Sequence, residues 1–281
     1  MRIFKRTFKS ALLSALSDKT LAQPHALLFM LRRAINKHQL MPFIQPIVDA
    51  RTGETVAGEV LMRWHHPSLG NISPDYFIPL AEKNGLISRI TESGIQSVAR
   101  TVMSMAFICR PETTLFFNVS AADFKNHAIV NLCKAFKRDT AQRDLRIGLE
   151  ITEREAVEDT TLVKDLCKSL ALLGVDLSVD DFGTGNANYH YLIQFRPRYI
   201  KIDKMFTAGV EADPVKEAIV RNIIAVATEL HCLTIAEGVE TDAQRQKLAT
   251  LGVSHFQGYF FSKPVEASVF FHQLMHALPL R

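Results

Sequence analysis

The sequence has few cysteines, and no two of them stand close together. Its four cysteines are Cys109, Cys133, Cys167 and Cys232, and no CxxC pair occurs. This spacing argues against a zinc site and against a disulfide framework, and it favours a reducing compartment. We therefore expect a cytoplasmic protein.

The sequence also lacks an apolar run long enough to span a bilayer. It begins with the basic and then apolar segment MRIFKRTFKSALLSALSD, whose uncharged stretch is short and has no convincing cleavage site after it. Apolar residues recur there at helical spacing, so we expect a basic amphipathic extension over residues 1–33. It should pack on the domain or on a partner protein. A weak contact of residues 1–20 with a membrane surface is the alternative.

Positive charge is in small excess and is concentrated at the start of the chain. The formal net charge is +4, and Arg2, Lys5, Arg6 and Lys9 carry as much positive charge as this whole excess. The remaining residues are close to neutral together, so we expect no nucleic-acid polymer as a partner. Nucleic-acid binding through the basic start of the chain stays as a minor alternative.

Strand-like and helix-like segments alternate from residue 41 onward, which is typical of βα units. The 281 residues would fit one (β/α)8 barrel of roughly 250 residues with a short extension. We therefore expect an α/β fold, a single-domain modified TIM barrel over residues 34–281. The expected strands are Phe43–Val48, Val56–Met62, Leu115–Asn118, Leu145–Ile151, Leu177–Asp180, Tyr199–Ile202, Thr234–Glu237 and Ser254–Gln257. The expected helices are Ile87–Met105, Ile129–Arg138, Leu162–Leu173, Ala218–Leu230, Ala243–Leu251 and Val269–Leu278.

Charged and amide side chains stand where these apolar strands end. In a barrel the carboxyl ends of the strands meet at one face, where chemistry is usually built. Several carboxylates gathered there would destabilise the fold unless a cation bound them. Oxygen ligands without cysteine or histidine suit hard divalent cations such as Mg²⁺ or Mn²⁺. The residues concerned are Glu59, Asn118, Glu150, Asp180, Asp181, Lys201 and Glu237.

Each of these motifs also has a structural interpretation. The segment DDFGTG (Asp180–Gly185) places two carboxylates beside each other, which can bridge two cations about 3.5–4 Å apart, but it could also form an Asx turn. Its DFG occurs in protein kinases too, but the other kinase motifs are absent. Asn118 could simply cap a helix, and Glu150 with Glu153 could end a strand and cap the next helix.

The expected strands direct further side chains toward the same centre. In EVLMRW, Glu59, Leu61 and Arg63 share one face, and an arginine beside metal ions suits a phosphate group. Lys201 lies between two isoleucines and faces opposite to both, into the barrel. It could orient an attacking water or help to deprotonate it. The alternatives are a buried ion pair for Arg63 and an ion pair between Lys201 and Asp203 or another acid.

The order of the motifs along the chain resembles that of EAL-domain phosphodiesterases, which hydrolyse the bacterial messenger cyclic di-GMP. The resemblance covers residues 34–277 and implies a barrel with one antiparallel strand. The matching segments are QPIV (Gln45–Val48), EVLMRW (Glu59–Trp64), NVS (Asn118–Ser120), EITE (Glu150–Glu153), DDFGTG (Asp180–Gly185), KID (Lys201–Asp203), EGVE (Glu237–Glu240) and QGYFFSKP (Gln257–Pro264).

The resemblance implies cleavage of cyclic di-GMP to linear pGpG with two Mg²⁺ or Mn²⁺ ions, in a homodimer formed through the helix and loop after the paired aspartates. Lys201 would be the catalytic lysine, acting with Glu59 and Glu237, and Glu153 would hold the loop after Asp181. The implied metal ligands are Glu59, Asn118, Glu150, Asp180, Asp181 and Glu237. The implied substrate contacts are Gln45, Leu61, Arg63, Asp203, Glu240 and Gln257.

Two positions depart from the family pattern. Val60 replaces the signature alanine, and Asn186–Tyr189 reads NANY where YSSL is usual, in the loop that couples the metal site to the dimer interface. The EVL spelling is similar to a subgroup whose catalytic domain follows a membrane-anchored sensor. Attachment to the inner membrane would follow if the chain were part of such a longer protein. No metal ligand is missing, so an active enzyme is favoured over an EAL-like receptor that binds the nucleotide without cleaving it.

Overall fold

The computed structural model describes residues 24–37, 39–105, 113–125, 127–152, 161–184 and 189–276. The strands of this part of the chain are β1 (Leu40–Asp49), β2 (Thr55–His66), β3 (Gly70–Ile72), β4 (Thr113–Val119), β5 (Leu145–Thr152), β6 (Asp176–Phe182), β7 (Tyr199–Ile202), β8 (Leu233–Ala236), β9 (His255–Phe256) and β10 (Val265–Glu266). Its α-helices are α1 (Pro24–Asn36), α2 (Pro74–Lys83), α3 (Ile87–Ser104), α4 (Ala128–Asp139), α5 (Thr161–Leu172), α6 (Tyr189–Phe195), α7 (Lys204–Thr207), α8 (Pro214–Glu229), α9 (Asp242–Leu251) and α10 (Ala267–His276).

Eight of the strands close into a barrel in the order β1, β9, β8, β7, β6, β5, β4, β2, and β2 pairs with β1. Strand β1 runs antiparallel to both of its barrel neighbours, whereas the other neighbouring pairs are parallel. The α/β barrel, its eight strands and its one antiparallel strand are therefore confirmed. The short strands β3 and β10, which the sequence did not predict, extend the sheet beside β2 and β1.

The ends of α9 show why the helices begin and end where the sequence indicated. Thr241 and Gln244 form a capping box at its first turn, so each side chain accepts a hydrogen bond from the other residue's backbone N–H. Gly252 ends the helix in the left-handed conformation with φ +94°, where a residue with a Cβ would be strained. The chain then enters β9 almost directly, which brings Gln257 to the mouth of the barrel.

A small apolar cluster fills the interior of the barrel beneath the polar strand ends. The Phe116 and Tyr199 rings meet edge to face with centroids 5.1 Å apart. Gly148 makes room for this contact, because a Cβ there would lie 2.4 Å from the Phe116 ring. The members of the cluster are Ile47, Ala57, Phe116, Tyr199 and Ile235. The polar side chains above therefore stand on a dry, packed floor, where electrostatic interactions are stronger than in water.

Helix α1 crosses the boundary expected at residue 33. Its Leu27 and Leu31 are buried in a second apolar cluster that includes Trp64 and Phe77. Residues 1–23, which hold most of the expected amphipathic extension, lie outside the described part of the chain. None of the described helices combines the length and the apolar content that crossing a membrane requires.

A candidate metal centre at the mouth of the barrel

Lys201 lies at the centre of a ring of carboxylates. Its side chain is fully buried, and its Nζ lies 2.6 Å from Glu237 Oε1, 3.1 Å from Glu150 Oε2, 3.3 Å from Glu59 Oε2 and 3.4 Å from Asp180 Oδ1. Glu59, Glu150 and Asp180 lie on β2, β5 and β6, and Glu237 directly follows β8, so closure of the barrel assembles the ring. Lys201 therefore faces the interior, as its position between two isoleucines predicted.

Asp203 has a different partner from the one that the ion-pair alternative gave it. Its Oδ1 accepts a hydrogen bond of 2.7 Å from the backbone N–H of Met205 and so caps α7. Lys201 forms its ion pairs with four other acids, and Asp203 is partly exposed just beyond the strand. The KID motif thus supplies a buried ammonium at Lys201 and, two residues later, a helix cap at Asp203.

Three amide side chains hold Glu59 and its surroundings. Asn118 Nδ2 donates to Glu59 Oε1 at 2.9 Å, and Gln257 Nε2 donates to Glu59 Oε2 at 2.6 Å. Gln257 Nε2 also lies 3.2 Å from Gln45 Oε1, and Gln45 Nε2 donates to the backbone carbonyl of Ser262 at 3.2 Å. Each oxygen of Glu59 therefore accepts a hydrogen bond from an amide, and Lys201 also contacts Oε2, which fixes the orientation of this carboxylate.

The paired aspartates lie at an irregularity in the barrel. The register between β6 and β7 shifts between Val179 and Phe182, and Asp181 has a left-handed backbone with φ +54°. The backbone N–H of Asp181 donates to Asp180 Oδ1 at 2.9 Å. Because of this bulge, oxygens of Asp180, Asp181 and Glu237 all lie within 4.8 Å of one another. The two neighbouring carboxylates thus approach one point, as a cation site at DDFGTG requires.

Burial and charge shift the pKa values of this ring in opposite directions. Burial raises the pKa of Glu150 well above its ordinary range, beyond what Lys201 can offset, and it raises that of Glu237 to about 8 for the same reason. Burial also opposes ionisation of Glu59, but Lys201 and the amide donors outweigh it and lower the pKa. The four carboxylates likewise outweigh burial at Lys201, so the pKa of its ammonium lies well above its ordinary range.

The donor set fits hard divalent cations. Fully ionised, the five carboxylates of the centre carry four more negative charges than the ammonium of Lys201 balances, which two divalent cations would neutralise. Glu150 Oε1 is buried and has no hydrogen-bond partner among the described residues, although a buried carboxylate oxygen normally has one. A cation ligand at this oxygen would satisfy it. The acids are Glu59, Glu150, Asp180, Asp181 and Glu237.

A cavity of about 210 Å³ lies between β2, β4, α2 and α3, and its lining includes Asn118, which donates to Glu59. Leu61, Arg63 and Asn118 line it together with Pro74 and Thr152. Arg63 is half-buried, and burial lowers the pKa of its guanidinium, although the charge of Glu59 opposes this shift. The cavity therefore places an arginine and an apolar wall next to the acids, which suits a ligand with both a phosphate and an apolar ring.

The remaining residues that the sequence singled out lie outside the ring or outside the described part of the chain. Glu240 is exposed beyond β8, and its backbone N–H donates to Gln244 Oε1 at 2.8 Å. Val60 is buried in the main core, on the side of β2 opposite to the ring. Glu153 and residues 185–188, which include most of the NANY segment, lie outside the described residues.

Sequence reasoning missed two hydroxyl residues near the centre. Thr91 on α3 donates its hydroxyl hydrogen bond to the backbone carbonyl of Asn118 at 3.4 Å. Thr207 is fully buried on α7 and donates to the backbone carbonyl of Glu237. No local signal marks Thr91, since it is one of several polar residues on an amphipathic helix. Thr207 could have been noticed as a hydroxyl residue in an otherwise apolar position after KID.

One protein-family model matches most of the chain. A family model described as the EAL domain matches residues 29–264. The probable cyclic di-GMP phosphodiesterase PdeG of Escherichia coli (strain K12) is 40% identical over 237 residues, which are 84% of this chain and 46% of that protein. The cyclic di-GMP phosphodiesterase PdeL of the same strain is 36% identical over 84% of this chain and 66% of its own length. The chain thus spans between about half and two thirds of these relatives.

Solved structures share the same fold. The PaMucR phosphodiesterase in complex with c-di-GMP superposes with a TM-score of 0.74 at 34% identity, over 87% of this chain and 99% of that one. The EAL enzyme Bd1971 in its cAMP-bound form has a TM-score of 0.78 at 28% identity, over 97% of this chain and 74% of that one. The barrel fold is thus what this chain has in common with these proteins.

Proposed function

Since this chain belongs to the EAL domain family, we propose that it is a metal-dependent phosphodiesterase that hydrolyses cyclic di-GMP to linear pGpG. The observation that carries this proposal is the ring of buried carboxylates around Lys201, next to a cavity lined by Arg63. The named activities of PdeG and PdeL support it. A full set of predicted metal ligands also favours catalysis over binding alone.

The cations that we propose are two Mg²⁺ or Mn²⁺ ions. Oxygen donors from acids and one amide suit either ion. When bound, such a pair would lower the pKa of an attacking water and neutralise charge on the phosphoryl oxygens. The residues that would hold the ions are Glu59, Asn118, Glu150, Asp180, Asp181 and Glu237.

Lys201 has the properties of a donor that orients the reacting groups. Its ammonium stays protonated because the surrounding carboxylates raise its pKa, so it can donate hydrogen bonds to an attacking water or a phosphoryl oxygen. The dry floor beneath it prevents its charge from being screened by solvent. Glu59 and Glu237 both contact Lys201, and its ammonium would balance part of their negative charge.

The substrate would lie across the acids and the adjoining cavity. Arg63 would grip a phosphate of cyclic di-GMP, and Leu61 would contact an apolar part of the nucleotide. Gln45, Asp203, Glu240 and Gln257 are proposed as further substrate contacts. Of these, Gln257 already donates to Glu59, so it would also orient that carboxylate.

Incubation of the protein with cyclic di-GMP and Mg²⁺, followed by chromatography, tests the activity. We expect linear pGpG to accumulate, and we expect a chelator to stop its formation and excess Mg²⁺ or Mn²⁺ to restore it. The second candidate function is an EAL-like receptor or regulatory module. Saturable nucleotide binding without product, at saturating metal, would favour that alternative and contradict the enzyme.

Metal affinity should increase with pH in the neutral range. Burial, with the charges of Asp180 and Glu59, raises the pKa of Glu237 to about 8, and this proton must leave before the carboxylate can bind a cation. Below that pKa the association constant should rise by about tenfold per pH unit for each proton released, and above it the slope should flatten.

Calorimetric titration with Mg²⁺ at pH 6.5, 7.5 and 8.5, in buffers of different ionisation enthalpy, measures both the affinity and the protons released. Glu237→Gln is the matched variant, because it keeps the shape of the side chain but cannot release a proton. An affinity that is independent of pH in the unmodified protein would contradict the prediction.

Four wider expectations belong to the same proposal. We propose a homodimer formed through the region after the paired aspartates, where Ile193 of α6 is exposed. Glu153 would hold the loop after Asp181. A cytoplasmic location suits the three described cysteines, Cys133, Cys167 and Cys232, which are free thiols. The division into an extension over residues 1–33 and a catalytic domain over 34–281 stays a prediction.

A further inference from the structure

The one-turn helix α7 contacts two loops next to acids of the candidate metal centre, whose other acids, Glu59 and Glu150, lie on β2 and β5. It follows β7, which holds Lys201, and Asp203 caps its first turn. One of the two loops continues β6 beyond the paired aspartates, and the other continues β8 from Glu237. Because α7 lies against both, it is positioned to set the distance between the two sides of the centre.

Thr207 links α7 to the loop that begins at Glu237. Its hydroxyl is buried and donates a hydrogen bond to the backbone carbonyl of Glu237. The backbone N–H of Glu237 donates to the carbonyl of Ile202 at 3.0 Å, at the end of β7. Both polar backbone groups of Glu237 are therefore held by the β7–α7 segment. The direction of the Glu237 side chain, whose Oε1 lies 2.6 Å from Lys201, follows from this anchoring.

The packing around Thr207 leaves this loop little freedom. Gly238 has φ +63°, and a Cβ there would lie 2.5 Å from the Cβ of Lys204 on α7. On the other side of the helix, the buried Phe206 packs against Gly183, where a Cβ would lie 3.3 Å from its ring. Glycine thus allows both loops to approach α7 closely, and a single helical turn supports them both.

We propose that Thr207 is a positioning residue for the metal centre, and that α7 holds the Glu237 loop and the Asp181–Gly183 turn in a fixed relation to each other. Thr207 acts through the backbone of Glu237 and does not touch the ions or the substrate. The inference rests on the proposed function, since it concerns how the same centre holds divalent cations. Residues that orient metal ligands typically change metal affinity or activity by about 10- to 100-fold when they are lost.

Mg²⁺ binding without nucleotide, measured by calorimetry, tests this role separately from turnover. Thr207→Val keeps the shape of the side chain but removes the donor, so we expect Mg²⁺ to bind about 10- to 100-fold more weakly. Thr207→Ser keeps the hydroxyl and should restore binding close to that of the unmodified protein. Thr228→Val is the matched control, because the Thr228 hydroxyl donates to a helix carbonyl on an exposed surface away from the centre.

The outcomes separate this inference from the proposed function. If the unmodified protein binds Mg²⁺ and a folded Thr207→Val variant binds it equally well, Thr207 has no positioning role. If the unmodified protein binds no Mg²⁺, the proposed function fails and the inference fails with it. Should Thr207→Val not fold, Thr207→Ala removes the same donor with a smaller side chain. Equal Mg²⁺ affinity in that variant would overturn the inference in the same way.

Discussion

Lys201→Met should abolish nearly all hydrolysis of cyclic di-GMP while the nucleotide still binds. The substitution removes the ammonium that contacts Glu59, Glu150, Asp180 and Glu237, and methionine fills a similar volume. A positioned proton donor or acceptor contributes about 10²- to 10⁴-fold to a reaction rate, so kcat should fall by that factor. Steady-state kinetics with saturating Mg²⁺ would measure kcat, and calorimetry would measure binding of the nucleotide.

The same substitution should also lower the stability of the metal-free protein near neutral pH. Breaking a buried ion pair by removing one partner costs about 3–5 kcal/mol, and here the carboxylates left behind repel one another. Added Mg²⁺ should restore part of the loss. Lys134→Met, at an exposed position on α4, is the control for the loss of a lysine. Unchanged kcat in Lys201→Met would remove Lys201 from the mechanism.

Glu150→Gln should have opposite effects on function and on metal-free stability. Glutamine has the same shape and keeps an acceptor for Lys201, but it lacks the charge that a divalent cation requires. Loss of a residue that only orients a metal ligand lowers affinity or activity by about 10- to 100-fold. Loss of the ligand itself should lower Mg²⁺ affinity and turnover by more than that. Without metal, the variant should be more stable than the unmodified protein by about 1–3 kcal/mol, because folding no longer has to protonate a fully buried carboxylate or keep it charged.

The raised pKa of Glu150 determines how the stability of the metal-free protein changes with pH. The pKa of Glu150 is higher in the folded chain than in the unfolded chain, so the folded state loses stability as the pH rises above the unfolded value. The stabilisation by Glu150→Gln should therefore grow between pH 5 and pH 8. Thermal unfolding in the presence of a chelator measures it, with Glu211→Gln as an exposed control. A metal-free variant that is less stable at pH 8 would show that ionised Glu150 is favourable.

Much of the barrel could be predicted because its signals are local. Apolar strands followed by a polar residue, and helices followed by Gly174 or Gly252, mark the βα units within short windows of sequence. Strand alternation also fixes which face a residue takes, so Lys201 and Glu59 could be directed inward before any tertiary contact was known. These rules depend only on backbone geometry, and the structure follows them at both residues.

Other features depend on contacts between distant parts of the chain. Gln257 donates to Glu59 across 198 residues and lies beside Gln45 across 212 residues, and no local pattern specifies such pairs. The bulge that turns Asp181 toward Glu237 arises from a register shift between two strands. Thr207 acquires its role only because the loop after β8 folds back on α7. Such features follow from closure of the barrel and could not be derived one segment at a time.

Anomalous diffraction from crystals soaked in Mn²⁺ tests the central claim most directly, because it locates the ions without depending on catalysis. We expect two Mn²⁺ peaks at the mouth of the barrel, with oxygens of Glu59, Glu150, Asp180, Asp181 and Glu237 as ligands. Crystals soaked under saturating Mn²⁺ that show no peak among these carboxylates, or peaks only elsewhere, would contradict the account.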